Sequence, residues 1–107
     1  MEIESKELGV IKIADDVILK CAANAALKTE GVAAMKKGIK MSMDGDEITF
    51  DIRVVVEYAQ HIPDVAYNIQ KNVKQDVEKL IDHDVKAVNI HVQGIHFPEG
   101  EEENDQN

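Results

Sequence analysis

The groups in this sequence able to do chemistry are few: four histidines, one cysteine and several short runs of acids. A metal site needs three or four such groups converging on one point. Asp82-His83-Asp84 offers three ligand-type side chains, but neighbours along a chain diverge and no fourth group lies nearby in sequence. A solvated turn between a helix and a strand explains it equally well. His91 and His96 lie an odd number of residues apart in a strand-like segment, which puts them on opposite faces. His61 stands just ahead of a helix as a flanking residue. Cys21 falls on the apolar stripe of an alanine-rich helix, where burial raises a thiol's pKa and quiets it. There is no Gly-x-Ser-x-Gly, phosphate-binding loop or dinucleotide fingerprint, and the six glycines stand singly. The acids at Asp15-Asp16 and at Asp44 and Asp46 are accounted for by a helix start and a turn. Acid, base and pocket do not assemble, so no catalytic, cofactor-binding or metal residue is assigned.

Composition narrows the classes further. A chain of 107 residues is one domain, and 44% apolar residues can build a core without disulfides. Twelve basic against twenty-one acidic residues give a formal charge of −9, the wrong sign for a nucleic-acid binder. A single cysteine makes no internal disulfide. No apolar run approaches the roughly 18 residues of a membrane span, and the acidic first residues are unlike a leader. The expectation is a cytoplasmic protein with no direct membrane insertion. Five of the acids lie within 99–107, which leaves −4 on the rest. That shift predicts one folded domain over 1–98 and a disordered acidic tail over 99–107. Such a tail is either a lure for a basic partner or a solubilising end. Lys36, Lys37 and Lys40 form the only basic cluster. Beside an anionic surface three lysines supply about 3 kcal/mol at best, and a solvated loop explains them too.

Elements must hold these groups. Residues 9–13 read as a first strand. Asp15 and Asp16 then open a helix to about Thr29, capping its free N–H groups and opposing its dipole, with Val17, Ile18, Cys21, Ala22 and Ala25 on its apolar face. Gly31 stands where a left-handed C-cap would sit. Lys36-Lys37-Gly38 breaks the pattern. Ile39, Met41 and Met43 alternate up to Asp44-Gly45, a hairpin signal, and Ile48, Phe50, Ile52, Val54 and Val56 alternate after it. Pro63 opens a second helix with Ile62, Ala66, Ile69, Val73, Val77 and Leu80 on one face. A last strand over 85–95 points Val88, Ile90 and Val92 inward. The order strand-helix-strand-strand-helix-strand predicts an α/β chain, a two-layer α+β sandwich. Both helices should lie on one face of a mostly antiparallel sheet.

The other sheet face is then open. Asp51, Arg53 and Val55 point outward from the long strand, and His91 and Gln93 from the last one. A polar, solvated sheet face is one account of these five. An interaction surface that pairs with a partner or with itself is the other, and these are its candidate residues.

Several segments carry a resemblance. Gly9-Val10-Ile11-Lys12-Ile13 leads to an alanine-rich helix ending in Glu30-Gly31-Val32. The strand 48–58 precedes Ile62-Pro63-Asp64-Val65-Ala66, then Ile69-Gln70 and Val73-Lys74. The chain closes on Val88-Asn89-Ile90-His91-Val92-Gln93-Gly94-Ile95. Across residues 8–96 this ordered set resembles the alkaline-shock-protein family, the Gls-type envelope stress response proteins of Gram-positive bacteria. The resemblance implies a non-enzymatic scaffold or adaptor in cell-envelope stress response and homeostasis. Such a protein would be cytoplasmic, a homo-oligomer, and held at the inner membrane surface by a protein partner such as a small membrane-anchored protein. The alternative it implies is a regulatory binding protein for fatty-acid or phospholipid synthesis. It carries over no catalytic or binding residues and no cofactor. The chain departs from the family where Ala59 follows Tyr58 in place of a common Gly, and where Asp82-His83-Asp84 replaces another. The stretch from Gly31 to Ile39 is also short.

Overall fold

The structure, a computed structural model, describes residues 1–4 and 6–99; of the tail expected over 99–107, residues 100–107 lie outside them. The chain runs β1 (Glu2–Glu4), a 3-10 turn (Lys6–Leu8), β2 (Val10–Lys12), α1 (Asp15–Leu27), β3 (Val32–Asp44), β4 (Glu47–Glu57), α2 (Ile62–Ile81) and β5 (Val85–His96). The main sheet has the order β3-β4-β5, with β3 antiparallel and β5 parallel to β4. A two-residue turn at Gly45-Asp46 joins the antiparallel pair, with Gly45 at φ +65°. The parallel pair follows from α2, which carries the chain back along the sheet before β5 starts.

Strict alternation along β4 builds the core. Ile48, Phe50, Ile52, Val54 and Val56 are each buried to within 1% of full occlusion. Against them lie Ile18, Ala22, Ala25 and Ala26 of α1, with Val65, Ile69, Val73, Val77 and Ile81 of α2. One cluster holds residues of both helices, so both cover the same sheet face, in a two-layer α+β arrangement. Small side chains at 22, 25 and 26 let α1 lie close, and each fully buried Ile or Phe contributes about 1.5–3 kcal/mol.

The helix ends differ from expectation. Ala14 precedes α1 without a side-chain cap, so Asp15 and Asp16 act only through the dipole. At the other end Thr29, 4% exposed, donates its hydroxyl to the Ala25 carbonyl at 2.8 Å and accepts from Asn72 at 3.0 Å. Gly31 does adopt φ +94°, three residues beyond the αR C-cap Lys28. A Cβ there would meet Val65 at 2.8 Å, so close approach to α2 also requires glycine. Val17, Ile62 and Leu80 are exposed rather than in the stripes. The buried stripe of α2 steps four residues at a time, 65-69-73-77-81, and so winds around the helix as the sheet twists beneath it.

Two strands also differ. The expected first strand, at 9–13, does not join the main sheet: Val10–Lys12 pairs with Glu2–Glu4 in a separate ribbon. Its side chains are all exposed, so nothing draws it into the core. Residues 36–38, expected as a break, lie inside β3 as a bulge: Met35 faces Val54 and Ile39 faces Ile52, leaving three residues opposite Arg53. Gly38, at φ +92°, takes the bend.

Candidate functional site

The uncovered face of the main sheet gathers the candidate residues. Cross-strand register places Lys40 opposite Asp51, Asn89 opposite Asp51 on the other side, and His91 opposite Arg53. The Asp51 carboxylate accepts from His91 Nε2 at 3.2 Å and from Asn89 Nδ2 at 3.3 Å. The His91 bond and then the Asn89 bond hold the carboxyl below its ordinary value. Val55 pairs with Gly94. Gln93 does not join a cross-strand pair: Val54 faces Val92 and Val55 faces Gly94, so Gln93 is the extra residue of a bulge.

That bulge corrects the expectation for the histidines. One inserted residue shifts the side-chain parity, so His96 faces Glu57 and lies on the same side as His91. His96 Nδ1 meets Glu57 Oε1 at 3.0 Å. The open face is thus a ladder of Lys40, Asp51, Arg53, His91, Glu57 and His96. Reading alternation alone misses the Glu57–His96 rung; Gly94 within a strand was the one sign of a bulge.

An aspartate that orients an imidazole is also half of an acid–base pair. Here both groups are exposed on the open sheet face. Among the described residues no hydroxyl or thiol is bonded to His91, and Ser42 and Thr49 face each other two rungs away. The arrangement can complement a charged surface, with rows of both signs held by cross-strand pairing.

Two other places hold reactive groups. At the hairpin end, Asp46, Glu47, Asp82, His83, Asp84 and Lys86 line a groove, with His83 Nε2 at 2.5 Å from the Asp46 carbonyl. Among the described residues no three His, Cys, Asp or Glu groups are set to hold a metal ion. Cys21 is half-buried, and burial, followed by the Asp76 charge, pushes its thiol up. Lys74 and Glu78 of α2 clamp the start of β5. Lys74 donates to the Val85 carbonyl and Glu78 accepts the Val85 N–H, both at 2.8 Å.

This fold, two helices on one face of a small sheet, is shared with known structures. One solved form of MamM CTD superposes with a TM-score of 0.56 at 16% identity, over 76% of this chain and 98% of that one. At that identity the likeness speaks for the fold alone. The sequence goes further. Residues 33–97 match the family model of alkaline shock protein 23, described as having a cell envelope-related function. YqhY of Bacillus subtilis is 32% identical, over 91% of this chain and 84% of its own. YloU of the same organism is 30% identical over 89% and 96%. A stress response regulator gls24 homolog of Streptococcus pyogenes is 27% identical over 68% of this chain and 41% of that protein. The chain belongs to the alkaline shock protein 23 family, the type that its sequence resembles. No helix among the described residues is long and apolar enough to cross a membrane.

Proposed function

We propose that this protein is a non-catalytic scaffold or adaptor serving cell-envelope stress response and homeostasis from the cytoplasmic side of the membrane. Its working surface is the open sheet face, with Asp51, Arg53, Val55 and His91 at the centre and Gln93 at the bulge. The observation that carries this reading is the face itself: a pre-formed ladder of paired charges, with the helices covering only the opposite side. A surface already ordered by its own cross-strand bonds binds a partner with little ordering cost. The partner is a protein, such as a small membrane-anchored one, which would hold the chain peripherally. Self-association belongs to the same reading.

A cross-linked pull-down from native cells, with membrane and soluble fractions kept apart, tests it. Recovery of a membrane protein or of multimers in the membrane fraction is the expected result. A soluble lipid-synthesis enzyme, with nothing in the membrane fraction, would replace this reading with the regulatory one.

A further inference from the structure

The main sheet has two edges, and they are treated differently. The β5 edge is closed by α2: Gln70 Nε2 donates to the Val88 carbonyl at 2.9 Å, and Lys74 Nζ to that of Val85 at 2.8 Å. Among the described residues no strand pairs with the outer edge of β3. From Ile39 to Asp44 its pairing with β4 is unbroken, bounded by the bulge on one side and the Gly45-Asp46 turn on the other. A two-residue hairpin closes on a hydrogen-bonded pair, here Asp44 and Glu47, so residues 40, 42 and 44 bond to β4. The backbone groups of Ile39, Met41 and Met43 therefore point outward, open to another strand.

The order of charges along this edge decides which strand fits it. Lys36, Lys37 and Lys40 lie toward its start, and Asp44 and Asp46 at its end. Neighbouring charges are already paired. Glu2, which shares a groove with Met43, meets Lys12 at 4.0 Å, the Met1 ammonium meets Asp15 at 3.8 Å, and Glu47 meets Lys86 at 3.2 Å. An acidic strand would match only the lysines, and a basic strand only the aspartates. A second copy of the same edge, run antiparallel, matches both. With Ser42 opposite Ser42, Lys40 of each copy faces Asp44 of the other on the open-face side, both exposed. Met41 faces Met43 on the helix side, where Met43 is 40% exposed and Met41 already packs against the core. Slipping the pair by two residues sets Ser42 against a charge, and by four sets like against like. One register is selected.

We infer that two copies of this chain join β3 to β3 as an antiparallel pair centred on Ser42, making one six-stranded sheet. The contact uses the same patch on both copies, so it closes at two. The two-fold axis passes through the sheet, which leaves the two open faces side by side on one side of the assembly. It rests on the scaffold reading, to which it adds two partner-binding faces per assembly.

Sedimentation velocity on the purified full chain should show a mass that rises with concentration to twice the 11.9 kDa of one chain and no further. Met43→Pro removes one outward N–H where an edge strand tolerates proline, and Asp44→Lys sets lysine against Lys40. Each should raise the dissociation constant about tenfold or more, with the circular dichroism spectrum unchanged. Cross-linking reads the register, in chains whose Cys21 is replaced by Ala. Opposed residues of a non-hydrogen-bonded pair lie about 4.5 Å apart at Cα, within disulfide range, so Ser42→Cys should join two copies on mild oxidation. Thr49→Cys, one strand further in and so about 14 Å from its counterpart, should not. A wild type that stays at one-chain mass or grows past two chains overturns the inference. So do variants that dimerise like wild type, Ser42→Cys joining no faster than Thr49→Cys, or Ser42→Cys captured in cells by a different protein. None of these variants alters Asp51, Arg53, Val55, His91 or Gln93. A single chain that still captures the membrane partner therefore sinks this inference alone, and a dimer that captures none sinks the scaffold reading alone.

Discussion

Ala59 and Asp82 are non-glycine residues at φ +70° and +54°. The left-handed region costs an L-residue with a Cβ roughly 1–2 kcal/mol, and the cost is smaller for Asp than for Ala because its short side chain bonds locally. Ala59→Gly should therefore stabilise the chain by about 1 kcal/mol, read as a higher urea midpoint; an unchanged or lower midpoint would show that the turn is not strained. Charge adds a second residue-scale expectation. Bonds from Lys74 and then from the Val85 N–H hold the Glu78 carboxyl below its ordinary value, and Asp51 is lowered likewise by His91 and Asn89. A lowered folded pKa gives stability that is full above the ordinary carboxylate range and lost as pH falls through the folded value. Denaturation midpoints taken from about pH 6 to pH 3 should thus fall more steeply for wild type than for Glu78→Gln. Equal slopes would mean that the clamp on β5 carries no proton linkage.

Among the elements, what could be read in advance was set by how long each pattern runs. β4 alternates over its whole length, and five buried side chains outweigh any competing placement, so strand and register are both legible. The two helices show their period but not their phase: Val17, Ile62 and Leu80 fit the spacing yet lie outside the contact made by a stripe that winds. Of β3 the alternation from Ile39 was legible and the half before the bulge was not; of the ribbon, residues 9–13 read as a strand, whereas Glu2–Glu4 is too short to carry a periodic signal and the pairing between them stayed hidden. Two glycines of β3 and its approach separate strain from contact. Gly31 has φ +94°, and a Cβ placed on it would lie 2.8 Å from Val65, whereas a Cβ at Gly38, φ +92°, would meet nothing within 4 Å. Both alanine variants bear the backbone penalty of about 1–2 kcal/mol, and Gly31→Ala adds overpacking of roughly another 1–3 kcal/mol. Thermal melts should rank wild type above Gly38→Ala and Gly38→Ala above Gly31→Ala. The reverse order would place the tight contact elsewhere.

At the scale of the whole molecule, one face of the sheet carries the core under both helices, and the proposal assigns contact to the other. Phe50→Ala, on the covered face, should cost about 3–5 kcal/mol in a folding titration. Changes on the open face should leave the fold almost unaltered, since exposed sites away from such packing rarely shift stability beyond about 0.5 kcal/mol. Of the candidate site, Asp51, Arg53, Val55 and His91 were legible because alternation holds along β4 and from Ala87 to Val92 of β5. His96 was not, because one bulge at Gln93 reverses the parity that sequence spacing implies. The most direct test of the account repeats the fractionated pull-down with Asp51→Lys and Arg53→Glu combined, after confirming an unchanged melting temperature. The account predicts that the membrane-fraction partner captured by wild type is lost. Capture of the same partner in the same amount would contradict it.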